Sequence, residues 1–195
     1  MRPTETLMNE HRLIEKILVS LESLAVDAEE GTPDAKQAGD ILDFLRGFAD
    51  RCHHGKEEKH LFPRLGLHGY GPETGPVAVM LNEHEAGRAY IREMAAAREA
   101  GDARGFAAAA HGYVVLLHGH IAKEDQILFR IADSVFTEED QREVADGFER
   151  VEAEEMGAGT HETYLKIAED LSKRYGVAAT ATAAPAGHSH CGHAH

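Results

Sequence analysis

The chain has 195 residues, of which 43% are apolar, and its formal net charge at pH 7 is −14. This length suits one domain with a sizeable core, and the negative charge argues against nucleic acid or an anionic membrane as the main partner. No stretch reaches the roughly 20 apolar residues that span a bilayer. The first residues lack the apolar run of a signal peptide, and two cysteines make no disulfide framework. We therefore expect a soluble, cytoplasmic protein.

Glycine and proline divide the chain into segments of helical length, in a composition that favours helices over strands. The first predicted helix is capped by Thr4 or Thr6 and ends at "GTPD", residues 31–34, and apolar residues recur along it at steps of three and four. The second begins near Pro33, which suits the first turn of a helix, and stops near Pro63. A loop rich in glycine and proline follows.

The third predicted helix covers about 76–100, and a fourth begins after a Gly-Asp break and runs to about 133. Because short connections make sequence neighbours antiparallel, we predict an all-α fold in which residues 1–135 form an up-down-up-down four-helix bundle. The capping sequence "TEED" begins a C-terminal helical extension, 136–175, that packs on the bundle. The remainder, 176–195, is predicted to be a flexible, histidine-rich tail.

One pattern of the second helix occurs again in the fourth. The stretch "HHGKEEKHLF", residues 53–62, aligns with "HIAKEDQILF", residues 120–129, and shares its histidine, lysine and glutamate positions. A second match precedes each copy, since "MNEH" ends at His11 and "LNEH" ends at His84. Each half of the bundle is therefore predicted to be one helical hairpin, and the two halves to pack with approximate twofold symmetry.

The repeat selects six side chains, namely His11, His53, Glu57, His84, His120 and Glu124. Residues four apart lie on the same face of a helix, so His53 points with Glu57, and His120 with Glu124. Four helices then direct four imidazoles and two carboxylates to one point inside the bundle, where unpaired carboxylates would be costly. Two divalent metal ions bridged by the glutamates would remove this cost. Imidazole and carboxylate without sulfur leave iron, manganese or zinc as the metal.

The same repeat predicts which neighbouring side chains are not metal ligands. His54 and Glu58 have the same spacing as His53 and Glu57, but their counterparts in the second copy are Ile121 and Asp125. The pair is therefore not expected to bind metal. Glu58 and Asp125 are expected to orient ligands or to face solvent.

Three residues outside the repeat are also candidates. His161 is either an additional metal ligand, as a fifth imidazole, or a histidine that only begins a helix. Tyr113 and Tyr164 are candidate hydroxyls that could form hydrogen bonds around the ligands. The tail "GHSHCGHAH" either binds nickel, copper or zinc weakly and delivers metal, or has only incidental affinity.

The order H…HxxxE…H…HxxxE over roughly residues 5–135 resembles the hemerythrin-like (HHE cation-binding) family. The extension with "GTHETYL" resembles bacterial members that carry an added C-terminal helix. The resemblance implies a four-helix bundle with two non-heme iron ions, bridged by carboxylates and by an oxo or hydroxo group and held by the six selected residues. It also implies a small diatomic or peroxide ligand, namely dioxygen, nitric oxide or peroxide.

Two departures bear on this implied function. Oxygen-carrying hemerythrins have a further histidine one turn after the third-helix ligand, where this chain has Arg88, and a longer-spaced carboxylate on the fourth helix, where it has HxxxE. These departures favour sensing, storage or redox handling over reversible oxygen carriage. Two alternatives stay open: a di-iron enzyme that acts on peroxide or nitric oxide or repairs iron centres, and a metal storage or trafficking protein.

Overall fold

A computed structural model describes residues 1–31, 33–156 and 160–174 of the chain. Within these ranges every regular element is helical, which confirms the predicted all-helical fold class. The α-helices are α1 (Pro3–Glu30), α2 (Ala35–Phe44), α3 (Phe62–Leu67), α4 (Gly75–Ala100), α5 (Ala103–Lys123), α6 (Phe129–Val135), α7 (Glu138–Val151) and α8 (Thr160–Arg174). Four π-helical segments join them, namely Leu45–His54, Glu57–Leu61, Glu124–Leu128 and Glu152–Met156. The predicted tail, 176–195, lies outside the described residues.

The helix ends follow from local side-chain chemistry. The Asp34 carboxylate accepts hydrogen bonds from the backbone N–H groups of Lys36 and Gln37 and so begins α2. Gly101, with φ +67, adopts the left-handed conformation that ends α4, as the predicted Gly-Asp break requires. No described helix has both the length and the apolar character needed to cross a membrane.

The predicted start of the first helix is wrong by a few residues. The cap is Arg2, whose backbone N–H donates a 3.0 Å hydrogen bond to the Glu5 carboxylate, and α1 begins at Pro3. The Thr4 hydroxyl instead donates to Asp133 at 2.7 Å and ties the start of α1 to α6. The Thr4 hydroxyl, which local sequence predicts to cap the helix, therefore forms a tertiary hydrogen bond instead.

The predicted stop near Pro63 is also wrong, because the backbone stays helical from Ala35 to Leu67. The π-helical segment Glu57–Leu61 widens the helix just before this proline. The wider turn tolerates a residue that donates no backbone N–H to it, so the helix continues. The second HxxxE copy has the same backbone feature, since Glu124 begins the π-helical segment Glu124–Leu128.

The helices enclose two apolar clusters. α5 packs along both α4 and α1, while α7, Glu152–Met156 and α8, together called the C-terminal helices, pack on the first half of the chain. Leu7 and Ile14 of α1 belong to different clusters, as do Ile121 and Leu128 further along the chain. The residues between the members of each pair therefore form a layer that separates the clusters.

Asp140 holds the start of α7 and is expected to stabilise the protein measurably. Its carboxylate accepts a 2.8 Å hydrogen bond from the backbone N–H of Thr137, and it also pairs with Arg64 and His68 at 3.0 Å. We expect Asp140→Ala to lower the free energy of unfolding by about 1–2 kcal/mol, as loss of a cap and its ion pairs does. Urea unfolding of metal-free protein would measure this, with the exposed Asp146→Ala as control.

The effect of Asp140 should depend on pH. The backbone and hydroxyl hydrogen bonds from Thr137 lower the pKa of Asp140 to about 2. A depressed pKa means that the stabilisation is complete above the unfolded pKa, about 3.9, and is lost as the pH falls toward the folded value. The difference between wild type and Asp140→Ala should therefore be constant above about pH 5 and shrink between about pH 4 and pH 2. A difference that persists at pH 2 would contradict this assignment.

Candidate metal centre

A cluster of imidazoles and carboxylates fills the layer between the two apolar clusters. It brings together all six side chains selected by the repeat, each at most 1% exposed, namely His11, His53, Glu57, His84, His120 and Glu124. Two overlapping groups could each hold a metal ion, with ligand atoms within 4.8 Å of one another. The first contains His11, His53, Glu57 and Glu124, and the second contains His54, Glu57, His84 and His120. Glu57 belongs to both groups, as expected of a bridging carboxylate, whereas Glu124, for which the repeat predicts the same role, belongs to only one of them.

Inside the cluster, imidazole nitrogens face carboxylate oxygens across short gaps. Nε2 of His11 and Nε2 of His120 each lie 3.2 Å from Oε2 of Glu124. Nε2 of His84 lies 3.4 Å from Oε2 of Glu57. These three Nε2 atoms and all four carboxylate oxygens of Glu57 and Glu124 are buried, and none has a hydrogen-bond partner within the described residues. Buried polar groups are almost always paired, so this set of donor atoms fits a bound cation.

Outside the cluster, four imidazoles are each held by a carboxylate at Nδ1. The pairs are His53 with Glu10 at 2.8 Å, His11 with Asp125 at 2.7 Å, His84 with Glu58 at 2.7 Å, and His120 with Glu83 at 3.0 Å. A proton on Nδ1, donated to the carboxylate, leaves Nε2 free to bind a metal ion. The outer carboxylates therefore fix the four rings in the metal-binding tautomer.

The repeat points to two of these outer carboxylates. It predicts that Glu58 and Asp125 orient ligands or face solvent, and the structure places them against His84 and His11. That these histidines bind metal stays a prediction. Glu10 and Glu83 were not singled out, although they are the glutamates of the two Asn-Glu-His sequences. The repeat therefore includes both glutamates. Each of them accepts a hydrogen bond from a histidine on another helix, and spacing within one helix does not predict such a contact.

Each outer carboxylate is in turn paired with a cation. The pairs are Glu10 with Lys56, Glu83 with Lys123, Asp125 with Arg12, and Glu58 with Arg88. Arg88 stands where oxygen-carrying hemerythrins have a histidine, and here its guanidinium lies 2.8 Å from Glu58 and 2.7 Å from Asp50. Arg88 thus supports His84 through Glu58.

The carboxylates also hold protons on the metal-free imidazoles. Burial would lower the pKa of His11, but Asp125 and Glu124 outweigh it and raise that pKa to about 9. Burial has the same effect on His120, and Glu124 and Glu83 raise its pKa to about 10. Burial would raise the pKa of Glu124, yet His120 and His11 hold it well below its usual range. The carboxylates of the cluster therefore stabilise positive charge, and a metal ion that binds there would displace protons from the imidazoles.

His54 corrects the prediction from sequence. The repeat excluded this residue because its counterpart is Ile121, but the ring is buried in the cluster and stacks on His84 with centroids 3.8 Å apart. Its buried Nδ1 has no hydrogen-bond partner among the described residues, and Oδ1 of Asp50 lies 3.5 Å from it. Burial and neighbouring His84 hold the pKa of His54 well below its usual value, so the ring is neutral, the form that binds metal.

The position of the second helix explains why His53 and His54 both reach the cluster. Neighbouring residues on a helix point about 100° apart, and this helix lies between α1 and α4. His53 meets His11 of α1, with ring centroids 4.7 Å apart, while His54 meets His84 of α4. Each neighbour thus joins a different one of the two groups.

The remaining candidates have different placements. Tyr113 is fully buried, its hydroxyl has no hydrogen-bond partner among the described residues, and burial raises its pKa. The Tyr164 ring packs against Phe44 and Phe48 in the apolar cluster that includes Ile14. The side chain of His161 lies outside the described residues, so its role as a ligand stays a prediction.

A helical fold with a buried layer of histidines and glutamates defines a class of metal-binding helical protein. The family model of the hemerythrin HHE cation binding domain matches residues 2–132, and the chain belongs to this family. It is similar to "Uncharacterized protein Rv1995" of Mycobacterium tuberculosis and to "Uncharacterized protein Mb2018" of Mycobacterium bovis. Each is 25% identical over 183 residues, covering 89% of this chain and 70% of the relative. No solved structure matched the chain.

Proposed function

We propose that this protein holds two non-heme iron ions in the buried cluster and binds a small diatomic or peroxide ligand there, in sensing, storage or redox handling. The observation that carries the proposal is the set of four buried carboxylate oxygens, on Glu57 and Glu124, without hydrogen-bond partners in the described chain. Two neighbouring carboxylates in an apolar interior are costly unless cations lie between them. Membership of a cation-binding family supports the same conclusion.

The ligand set that we propose contains His54 in addition to the six residues selected by the repeat. One metal position would then be held by His11, His53 and both glutamates, and the other by His54, His84, His120 and Glu57. Imidazole and carboxylate suit iron in a redox-active site. Iron would supply open coordination positions for dioxygen, nitric oxide or peroxide, with an oxo or hydroxo group as a further bridge.

The residues around the site would keep bulk water out and leave room only for a small ligand. Leu61, Phe62, Leu128 and Phe129 pack in the apolar cluster next to the site. The Tyr113 hydroxyl, buried and without a hydrogen-bond partner among the described residues, is a candidate donor for such a ligand. We also propose that residues 1–135 form the up-down-up-down bundle and that 136–175 is an extension upon it, which the packing of α8 on α1 and α2 supports.

Metal analysis combined with anaerobic spectroscopy tests this function. Full-length protein would be loaded with ferrous iron, and visible spectra recorded after addition of air, nitric oxide or peroxide. We expect about two iron ions per chain, as the two overlapping donor groups imply, and a spectral change with at least one of the three ligands. A change on air that reverses on removal supports binding, and repeated rapid loss of peroxide supports an enzyme. A folded protein that takes up no iron would overturn the proposal.

A further inference from the structure

The Lys56 ammonium lies between two carboxylates that belong to different parts of the chain. One is that of Glu10, whose other oxygen accepts the 2.8 Å hydrogen bond from Nδ1 of His53. The second is that of Glu152, at 2.5 Å. Glu152 belongs to the C-terminal helices and lies beyond residues 2–132 that match the family. A chain of charged contacts therefore runs from the C-terminal helices through Lys56 and Glu10 to His53.

The corresponding lysine of the repeat has a different environment. Lys123 pairs with Glu83 as Lys56 pairs with Glu10, but its side chain is 40% exposed, whereas that of Lys56 is 0% exposed. The Phe148 ring of α7 also covers the Lys56 ammonium, at 5.8 Å. Water screens the charge of Lys123, while the buried Lys56 ammonium faces one buried carboxylate, that of Glu10, and one that is 44% exposed, that of Glu152.

We propose that Glu152 is a positioning residue for His53, and that through it the C-terminal helices control the metal position of His11 and His53 but not that of His120. The inference rests on the proposed function only in taking His53 and His120 as metal ligands. Glu152 balances part of the Lys56 charge, so Glu10 retains more negative charge toward Nδ1 of His53. A carboxylate at Nδ1 fixes the ring and makes the imidazole a stronger ligand.

Loss of the Glu152 charge would therefore affect one half of the centre. Of its two carboxylate partners in the described chain, Lys56 would keep only Glu10, and the hydrogen bond that Glu10 accepts from His53 would weaken. The pair of Glu83 and Lys123 would be unchanged, since no ion pair in the described part of the chain joins it to Lys56 or Glu152. One substitution outside the centre should thus make the two metal positions respond differently.

Glu152→Gln tests this proposal because it removes the charge and keeps the shape, and Glu149→Gln, at an exposed position of α7, is the matched control. Iron-loaded full-length protein would be mixed with a chelator and iron release followed over time. We expect Glu152→Gln to release one iron ion ~3–10-fold faster than wild type and the other at the wild-type rate, a somewhat smaller effect than loss of a direct ligand partner. Release like that of Glu149→Gln, or equal acceleration of both ions, would overturn the proposal.

A second measurement uses metal-free protein and does not depend on iron. The imidazole nitrogen chemical shifts of His53 report its hydrogen bond to Glu10. We expect these shifts to move in Glu152→Gln, while those of His120 stay at their wild-type values. Unchanged shifts of His53 would overturn the inference. If wild type takes up no iron but the His53 shifts move, the proposed function fails while the link from Glu152 to His53 stands.

Discussion

Glu57→Ala is expected to remove most of the iron from both metal positions, because Glu57 is the carboxylate shared by the two donor groups. Metal content per chain, measured after loading and desalting, should fall from about two to well below one. Glu57→Gln keeps the side-chain volume and should give a similar loss, which separates lost charge from a cavity. Glu124→Ala should also lose a large share, since Nε2 of His11 and of His120 both face Glu124 at 3.2 Å.

Three further variants are expected to lose less metal than Glu57→Ala. His54→Ala should lose about one of the two iron ions, because His54 belongs to only one donor group. Glu58→Ala should weaken metal binding by about 10–100-fold without abolishing it, as loss of a ligand's hydrogen-bond partner does. Glu22→Ala, at an exposed position of α1, should behave like wild type. Equal losses for Glu57→Ala, Glu58→Ala and Glu22→Ala would show that the assigned ligands are wrong.

Removal of the metal is expected to lower the unfolding temperature strongly. At free iron about 1,000 times the dissociation constant, each bound ion stabilises the folded state by about 4 kcal/mol. For a chain of this size that corresponds to a shift of roughly 8–16 °C per ion. Without metal, the cluster keeps buried carboxylates and protonated imidazoles together at the boundary between two apolar clusters. Thermal unfolding of loaded and chelator-treated protein would measure the difference.

The loss of stability should also be localised. We expect amide hydrogen exchange to increase most in residues 45–61 and in the segment around Glu124, which carry most of the proposed ligands, and less in α7. Glu57→Gln is the control, since its unfolding temperature should barely respond to added iron. Equal unfolding temperatures of loaded and metal-free wild type would mean that the ions do not hold this layer together.

The sequence predicted the helical class, and it selected side chains that the structure brings together, because both depend on spacing within a helix. Gly101 ends α4 where a Gly-Asp break was expected, and histidine and glutamate four residues apart do face the same interior. The ligand roles themselves remain a proposal. Spacing within a helix shows which side chains point in the same direction. The repeat shows which helices point such side chains toward the same interior.

The rest depended on contacts between helices, which spacing does not encode. His54 was excluded by a symmetry that the two halves do not fully keep, since Ile121 is apolar at the matching position. Glu10 lies in a repeated sequence, but its partner His53 is on another helix. Glu152 lies far along the chain from Lys56, and only packing of the C-terminal helices brings them together.

The π-helical turns that begin at Glu57 and Glu124 are places where the chain can lose a residue and keep the faces of the helix that follows. Each turn accommodates a residue more than an α-helical turn would, and Phe62 and Phe129 reach the apolar cluster directly after it. Deletion of the exposed Lys59 would let its turn close to an α-helical one, and Phe62 would still point to the apolar cluster. A deletion in a regular α-helical stretch, where no residue is extra, would instead rotate everything that follows by about 100°.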